Sequence, residues 1–372
     1  MEATVNLTKA RLIAFYLPQF HPIPENDAWW GKGFTEWTNV ARARPLFRGH
    51  HQPRLPADLG FYDLRLPEAR TAQAELASQC GVEGFCYWHY WFHGKRLLER
   101  PFNEVLSSGQ PDFPFCLAWA NEPWSRRWLG EERDVLQHQT YSPEDDRDHI
   151  RWLVKAFADP RYIQVGGRPL FLVYRPSDLP EPGRTTDVFR DECVGHGLPD
   201  PYLLGLNSHD PDVDYRDLGF DGTLDFQPEL GVLPDFLDDG IRLSKLLRNA
   251  RAGVASANLK VYDYTTARRL MVKDRSFPVY PCIFVGWDNT PRRGNNGIIM
   301  TNSSPEAFES GLSALVRAQA DKPYDDRLVF INAWNEWAEG NYLEPDLKNG
   351  RRYLEAVRRA NCEGRRHVAC LS

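Results

Sequence analysis

Eight short apolar runs, spaced by stretches of helical periodicity, constrain this sequence more than any other feature. They are RLIAFYL (11–17), VEGFCYW (82–88), FPFCLAW (113–119), RPLFLVY (168–174), YLLGLN (202–207), GTLDFQ (222–227), FPVYPCIFV (277–285) and LVFINAW (328–334). Runs of this length read as buried strands, and their alternation with helices is the pattern of repeated βα units over a parallel sheet. Helical patterns fall at 67–80, 142–159 and 304–320, with a final helix near 349–361; two open with Ser-Pro-Glu, a cap followed by proline in the first turn. Eight such units predict an α/β fold, a (β/α)8 TIM barrel, rather than an open doubly wound sheet. No GxGxxG or GxxxxGK[ST] follows the first run, which removes the usual marks of a dinucleotide or P-loop fold.

The 372 residues suit one decorated barrel, since this fold routinely exceeds the usual domain length. A single domain over 1–372 is expected, with its barrel core at 11–360. The segment HPIPENDAWWGKGFTEWTNVARARPLFRGHHQPRLPADLG (21–60) is too long for an ordinary βα connection, and loops of that size are usually functional or ligand-covering. A second irregular stretch, 228–260, is read as a loop with a short helix.

A net charge of -6 with no basic block longer than a pair gives no footprint for nucleic acid or an anionic membrane. No run reaches the roughly 20 apolar residues of a membrane span. The N-terminal MEATVNLTKARLIAFYLPQF lacks the pattern of a secretory signal. Cys80, Cys86, Cys116, Cys193, Cys282, Cys362 and Cys370 form no CxxC pair, so buried thiols in a reducing compartment are expected, and a cytoplasmic location with them. No cofactor or metal is expected. Twelve Trp are well above ordinary usage, and flat apolar faces near loops suit stacking on pyranose rings.

In a barrel the active site forms at the carboxyl ends of the strands, so the side chains there decide the chemistry. Alternation in the last run places Leu328, Phe330, Asn332, Trp334 and Glu336 on one face, read as inward, with Val329, Ile331 and Ala333 toward the helices. Glu339 follows three residues later, on the same side if the chain turns helically. The third run places Phe115, Leu117, Trp119 and Asn121 inward, and Glu122 and Trp124 follow. In the second, Phe85, Tyr87 and His89 share a face, with Tyr90 and His93 next. The seventh ends in Trp287, Asp288 and Asn289. Singly, each has a bland reading: a glutamate favoured by a helix dipole, a structural histidine, an aspartate capping a turn. Their recurrence at four strand ends favours a functional site.

Two carboxylates over an aromatic-lined cleft are the equipment for glycosidic bond cleavage: one is protonated to assist the leaving oxygen, the other ionised as base or nucleophile. Trp neighbours raise one glutamate and mutual repulsion separates the two titrations. No GxSxG elbow points to a serine hydrolase. The stretch SHDPDVDYRD (208–217), with His209, Asp210, Asp212 and Asp214, is the one competing reading, a divalent-cation loop or the DxD of a sugar-nucleotide transferase.

The blocks IAFYLPQFHPIPENDAWWGKGFTEWTNV, GFCYWHYWF, LAWANEPW and NAWNEWAEGNYLEP resemble the WbsX-like family of bacterial proteins, itself similar to glycoside hydrolase family 99, over nearly the whole chain. Members of the WbsX-like family occur among polysaccharide and lipopolysaccharide biosynthesis proteins and carry the label glycosyltransferase. The likeness to family 99 implies a (β/α)8 barrel and retaining action on α-linked, mannose-type sugars. The Glu-x-x-Glu motif of that family matches Glu336 and Glu339. By that resemblance Glu336 deprotonates the substrate's own 2-hydroxyl, which closes a 1,2-anhydro sugar, and Glu339 protonates the leaving oxygen and then activates water. Ala338 stands where family 99 tends to have histidine. The matching blocks contain Tyr16, Glu36, Trp37, His89, Tyr90, Trp119, Asn121, Glu122, Trp124, Trp334 and Asn335, which with Trp287 and Asp288 at the end of the seventh run are the candidate substrate contacts.

An oligosaccharide or polysaccharide is therefore the expected substrate; the sequence names no partner protein. The first reading is a retaining glycosidase or transglycosidase. A glycosyltransferase of lipopolysaccharide, O-antigen or capsule synthesis is the second, and a non-catalytic carbohydrate binder the third.

Overall fold

The computed structural model describes residues 9–126, 131–208, 212–234 and 258–361. Its centre is a closed ring of eight parallel strands: β1 (Arg11–Tyr16), β2 (Gly84–Phe92), β3 (Phe115–Trp119), β4 (Arg168–Val173), β5 (Tyr202–Leu206), β6 (Gly222–Asp225), β7 (Val279–Phe284) and β8 (Leu328–Asn332). Each pairs in parallel with the next, and β8 returns to β1 with Leu328 beside Arg11 and Ile331 beside Ala14, so no edge is left open. All eight apolar runs became barrel strands, as the alternation predicts.

Ten helices precede, link or follow these strands among the described residues: α1 (Pro24–Trp30), α2 (Glu36–Arg42), α3 (Pro67–Cys80), α4 (Arg100–Ser108), α5 (Pro143–Phe157), α6 (Pro182–Gly195), α7 (Tyr264–Met271), α8 (Thr290–Arg293), α9 (Pro305–Ala318) and α10 (Arg352–Asn361). The two Ser-Pro-Glu signals work as capping chemistry requires: Ser142 Oγ accepts from Asp145 N at 3.1 Å and Ser304 Oγ from Ala307 N at 3.2 Å. Asn361, ending α10, accepts from Ala10 N at 2.9 Å and donates to Ala10 O at 3.0 Å, tying the last helix to the first strand. The long segment after β1 holds α1, α2 and irregular backbone, and α2 packs on the turn Trp337–Glu339. Most of the 228–260 stretch lies outside the described residues.

Large and small side chains divide the barrel in a way that alternation alone did not reveal. Phe15 contacts Trp88, Phe226 and Phe330 inside the ring, with centroids 5.0, 5.1 and 5.8 Å away. Cys86 sits in register with Phe15 and with Cys116, so these small residues share that inner face. The helix side takes the bulk. Phe115 meets Phe102 of α4, His89 stacks on Trp152 of α5, and Trp119 meets His149 of α5. The inward assignment of Phe115 and Trp119 is thus reversed, and the shared face of Phe85, Tyr87 and His89 is the one toward the helices. The narrow lumen accepts cysteine and alanine on β2 and β3, while the layer between sheet and helices has room for rings. No helix among the described residues is long and apolar enough to cross a membrane.

Candidate active site

A cavity of about 770 Å³ opens over the carboxyl ends of the strands. Its wall includes Trp30 from α1, Trp88 and Tyr90 from β2, Trp124 after β3, Tyr174 after β4 and Trp287 after β7, and Glu336, Glu339 and Arg292 stand together in it. Cavities of this size, mostly apolar with a few convergent polar groups, are the usual form of a small-molecule or glycan site. Two buried polar groups of the wall, the Asn26 amide and Trp287 Nε1, have no hydrogen-bond partner among the described residues. Buried polar atoms left so are costly unless a ligand or water meets them.

Local structure explains why the two glutamates meet. After β8 the chain pairs Asn335–Glu336 with Asn341–Tyr342 as a small antiparallel ribbon, and a single 3-10 turn over Trp337–Glu339 joins them. Gly340 ends that turn at φ 60, a conformation that favours glycine, and a Cβ there would stand 2.9 Å from Arg54 Cζ. The tight turn carries Glu336 and Glu339 to one guanidinium. Arg292 on α8 donates from Nη2 to Glu336 at 3.1 Å, from Nη1 to Glu339 at 2.5 Å, and from Nε to Glu36 of α2 at 2.7 Å.

Three carboxylates around one cation leave surplus negative charge in a buried place. Burial pushes the Glu336 carboxyl up to about 8, repulsion from Glu339 and Glu36 adds to this, and Arg292 opposes it. Burial also raises Glu339, with Arg292 again lowering and Glu36 raising. Burial and mutual repulsion therefore favour one proton shared by the pair over two ionised carboxylates. Burial works against the charge of Arg292, but the three carboxylates hold it well above its ordinary value. The Tyr90 hydroxyl is pushed well up by burial and by the nearby Glu336 charge.

Of the residues singled out from sequence, Glu336, Glu339, Tyr90, Glu122, Trp124 and Trp287 line the cavity. Asn289 and Asn332, also named at strand ends, line it too, whereas the remaining candidate substrate contacts do not, and each of these has a partner that accounts for it. Tyr16 turns to the helix side, where its hydroxyl donates to Gln73 of α3 at 2.6 Å. Trp37 Nε1 donates to Tyr62 O at 2.8 Å, and its ring packs on Trp337. Nε2 of His89 lies 3.0 Å from Nε2 of His149. Trp119 Nε1 donates to Trp91 O at 3.1 Å. Asn121 accepts from Arg175 N and donates to Arg175 O. Asn335 holds the backbone of Leu17 from both sides, and Trp334 packs on Phe85 after β8 ends. Glu36 is wholly buried and reaches the site through Arg292.

Asp288 belongs to a separate buried cluster, with His50 at 2.8 Å and Gln52 at 2.7 Å. Burial alone would raise its carboxyl, yet the bond from His50 and the Arg54 charge bring it down to about 2. In the competing 208–217 stretch, Asp212 pairs with Arg275 at 2.7 Å and Asp214 with Arg216 at 2.6 Å; His209 and Asp210 lie outside the described residues. Among the described residues no cluster of three or more His, Cys, Asp or Glu has metal-holding geometry. Sequence reasoning passed over Asn26, Trp30, Trp88, Tyr174 and Arg292. The doubled arginine closing VGWDNTPRR was the available signal for the last.

Comparisons with known proteins agree on fold and family. Two solved structures share the architecture. One is a glycoside hydrolase family 99 endo-α-mannosidase from Bacteroides thetaiotaomicron, with a TM-score of 0.57 at 16% identity over 94% of this chain and 96% of that one. The other, described as a glycoside hydrolase-like protein, reaches 0.60 at 12% identity over 98% and 97%. Among curated relatives, the uncharacterized protein WxcX of Xanthomonas campestris pv. campestris strain B100 is 45% identical over 359 residues, which is 94% of this chain and 49% of the relative. The chain thus spans about half the length of the curated relatives it matches. Residues 12–357 match the family model described as Glycosyltransferase WbsX, and the chain belongs to that family.

Proposed function

We propose that this chain is a carbohydrate-active enzyme that acts with retention on α-glycosidic, mannose-type linkages of a bacterial polysaccharide. The carrying observation is the Glu336–Glu339 pair, held on one guanidinium in an aromatic-walled cavity, with both carboxyls raised by burial so that a shared proton is favoured. A sugar whose 2-hydroxyl donates to Glu336 stabilises that carboxylate in its ionised form, which leaves the shared proton to Glu339. Glu336 then takes the hydroxyl proton as O2 attacks C1. The C1–oxygen bond breaks and Glu339 protonates the leaving oxygen. Water adds to the 1,2-anhydro sugar in the reverse sense: Glu339 takes its proton and Glu336 returns one to O2, so the carbon is inverted twice. Trp30, Trp88 and Trp124 supply flat faces for pyranose rings, and the Asn26 amide and Trp287 Nε1 are donors and acceptors for hydroxyl groups.

A second reading is glycosyl transfer in lipopolysaccharide, O-antigen or capsule assembly, favoured by the description of the family. Surplus carboxylate charge beside Arg292 speaks against a diphosphate leaving group there. The test is NMR of the purified chain with α-linked oligosaccharides and, separately, with nucleotide sugars. Release of an α-product without nucleotide is expected. Turnover only with a nucleotide donor would overturn the first reading in favour of the second.

A further inference from the structure

We infer that Arg292, anchored by Glu36, is a positioning residue that fixes the spacing of Glu336 and Glu339 and divides its one charge among three carboxylates. The inference rests on the proposed function, for which it supplies the part that neither glutamate can supply for itself. The geometry is specific. A guanidinium has a rigid planar fork, and all three of its nitrogens are used here: Nε for Glu36, Nη1 for Glu339 and Nη2 for Glu336. Glu36 is wholly buried, and its second oxygen, Oε2, has no hydrogen-bond partner among the described residues. Its hydrogen bond to Nε orients the fork so that both terminal nitrogens point at the reacting carboxylates.

Consequences for the pair follow from charge. Arg292 favours the ionised forms of Glu336 and Glu339, whereas Glu36 opposes them both directly and by competing for the cation. Removing the arginine must therefore shift the titration of the pair to higher pH, and neutralising Glu36 must shift it to lower pH. Other charged or titratable groups of the same cavity wall are Tyr90 of β2, Glu122 after β3, Tyr174 after β4, Glu229 after β6, which pairs with Lys273 at 2.7 Å, and Arg293 of α8. Glu122 is paired with Arg175 at 3.1 Å. On the segments that flank the turn, Asp288 is bound to His50, and Tyr342 donates to Asp346. All of these stay in place in both variants, so opposite shifts isolate the Arg292–Glu36 couple.

The experiment is a carbon-13 NMR titration of the full chain labelled at glutamate carboxyl carbons, compared for wild type, Arg292→Gln, Arg292→Lys and Glu36→Gln, alongside the pH profile of turnover. Arg292→Gln is expected to move the pair upward by about one pH unit or more, and Glu36→Gln downward by a smaller amount. Arg292→Lys keeps the charge without the fork, so it should return the titration most of the way toward wild type while turnover stays low. Shifts of the same sign in Arg292→Gln and Glu36→Gln, or no shift in either, would overturn the inference. Glu36→Gln retains an oxygen for Nε and decides the matter alone if Arg292→Gln does not fold. A chain inert on every glycan whose pair still titrates in opposite directions would reject the proposed function and keep this inference. An active chain indifferent to both substitutions would do the reverse.

Discussion

Glu336 and Glu344 lie eight positions apart in the same NAWNEWAEGNYLEP stretch, both buried, yet they occupy opposite kinds of surroundings. Burial raises each: Glu336 to about 8, with Glu339 repelling it, and Glu344 to about 7, with hydrogen bonds holding it down. Glu344 is enclosed by neutral donors, Trp337 Nε1 at 2.5 Å, Gln73 Nε2 at 2.6 Å and the Tyr62 hydroxyl at 2.9 Å. Glu336 instead faces an open cavity and has a cation and a second carboxylate beside it. A displaced titration therefore does not mark a site by itself. What separates the two is an open face and a titrating neighbour with which to exchange a proton.

Turnover should separate the two glutamates most strongly. Glu336→Gln or Glu339→Gln is expected to lower kcat by about 10²- to 10⁴-fold while leaving sugar affinity largely intact, whereas Glu344→Gln keeps kcat within a few-fold of wild type. Steady-state kinetics with equilibrium binding checks this, and an equal loss from Glu344→Gln would erase the distinction. Stability should separate them in the other direction. Glu344→Leu strands three buried donors at about 1–3 kcal/mol each, so calorimetry should record a loss of roughly 3 kcal/mol or more, against little for Glu336→Gln.

The smallest effect is the pH dependence of stability. Folding raises the Glu344 carboxyl from 4.5 to about 7, so the folded chain favours its protonated form. That contribution is complete below pH 4.5 and is lost as the pH climbs through about 7. Glu344→Gln removes the dependence, so its stability should fall less than that of wild type between those limits, by on the order of 2 kcal/mol. Parallel curves in denaturant titrations would show that Glu344 titrates alike in folded and unfolded chains.

Strands and caps were legible from sequence because each depends on local chemistry: an apolar run, a serine before a proline. Glu336 and Glu339 were legible because a three-residue spacing on one turn is also local. The face of β2 and β3 was not, because both sides of a barrel strand are apolar and only the closed ring decides that Cys86 fits inside and His89 outside. Glu36 was picked out as a substrate contact, but its hydrogen bond to Arg292 spans 256 positions. No periodicity encodes such a distance. Asp288 shows the opposite error: a carboxylate beside a tryptophan looked like a ligand contact, and its partners His50 and Gln52 come from the segment after β1.

The reach of Arg292 also sets an order of events during synthesis. Its anchor is made early, on α2, the arginine itself arrives with α8, and the two carboxylates that its terminal nitrogens bind emerge only after β8. A nascent chain that has left the ribosome as far as Arg292 has the cation and its anchor but neither Glu336 nor Glu339. The carboxylate pair thus reaches its cation only when β8 closes against β1 and brings Glu336 and Glu339 to Arg292.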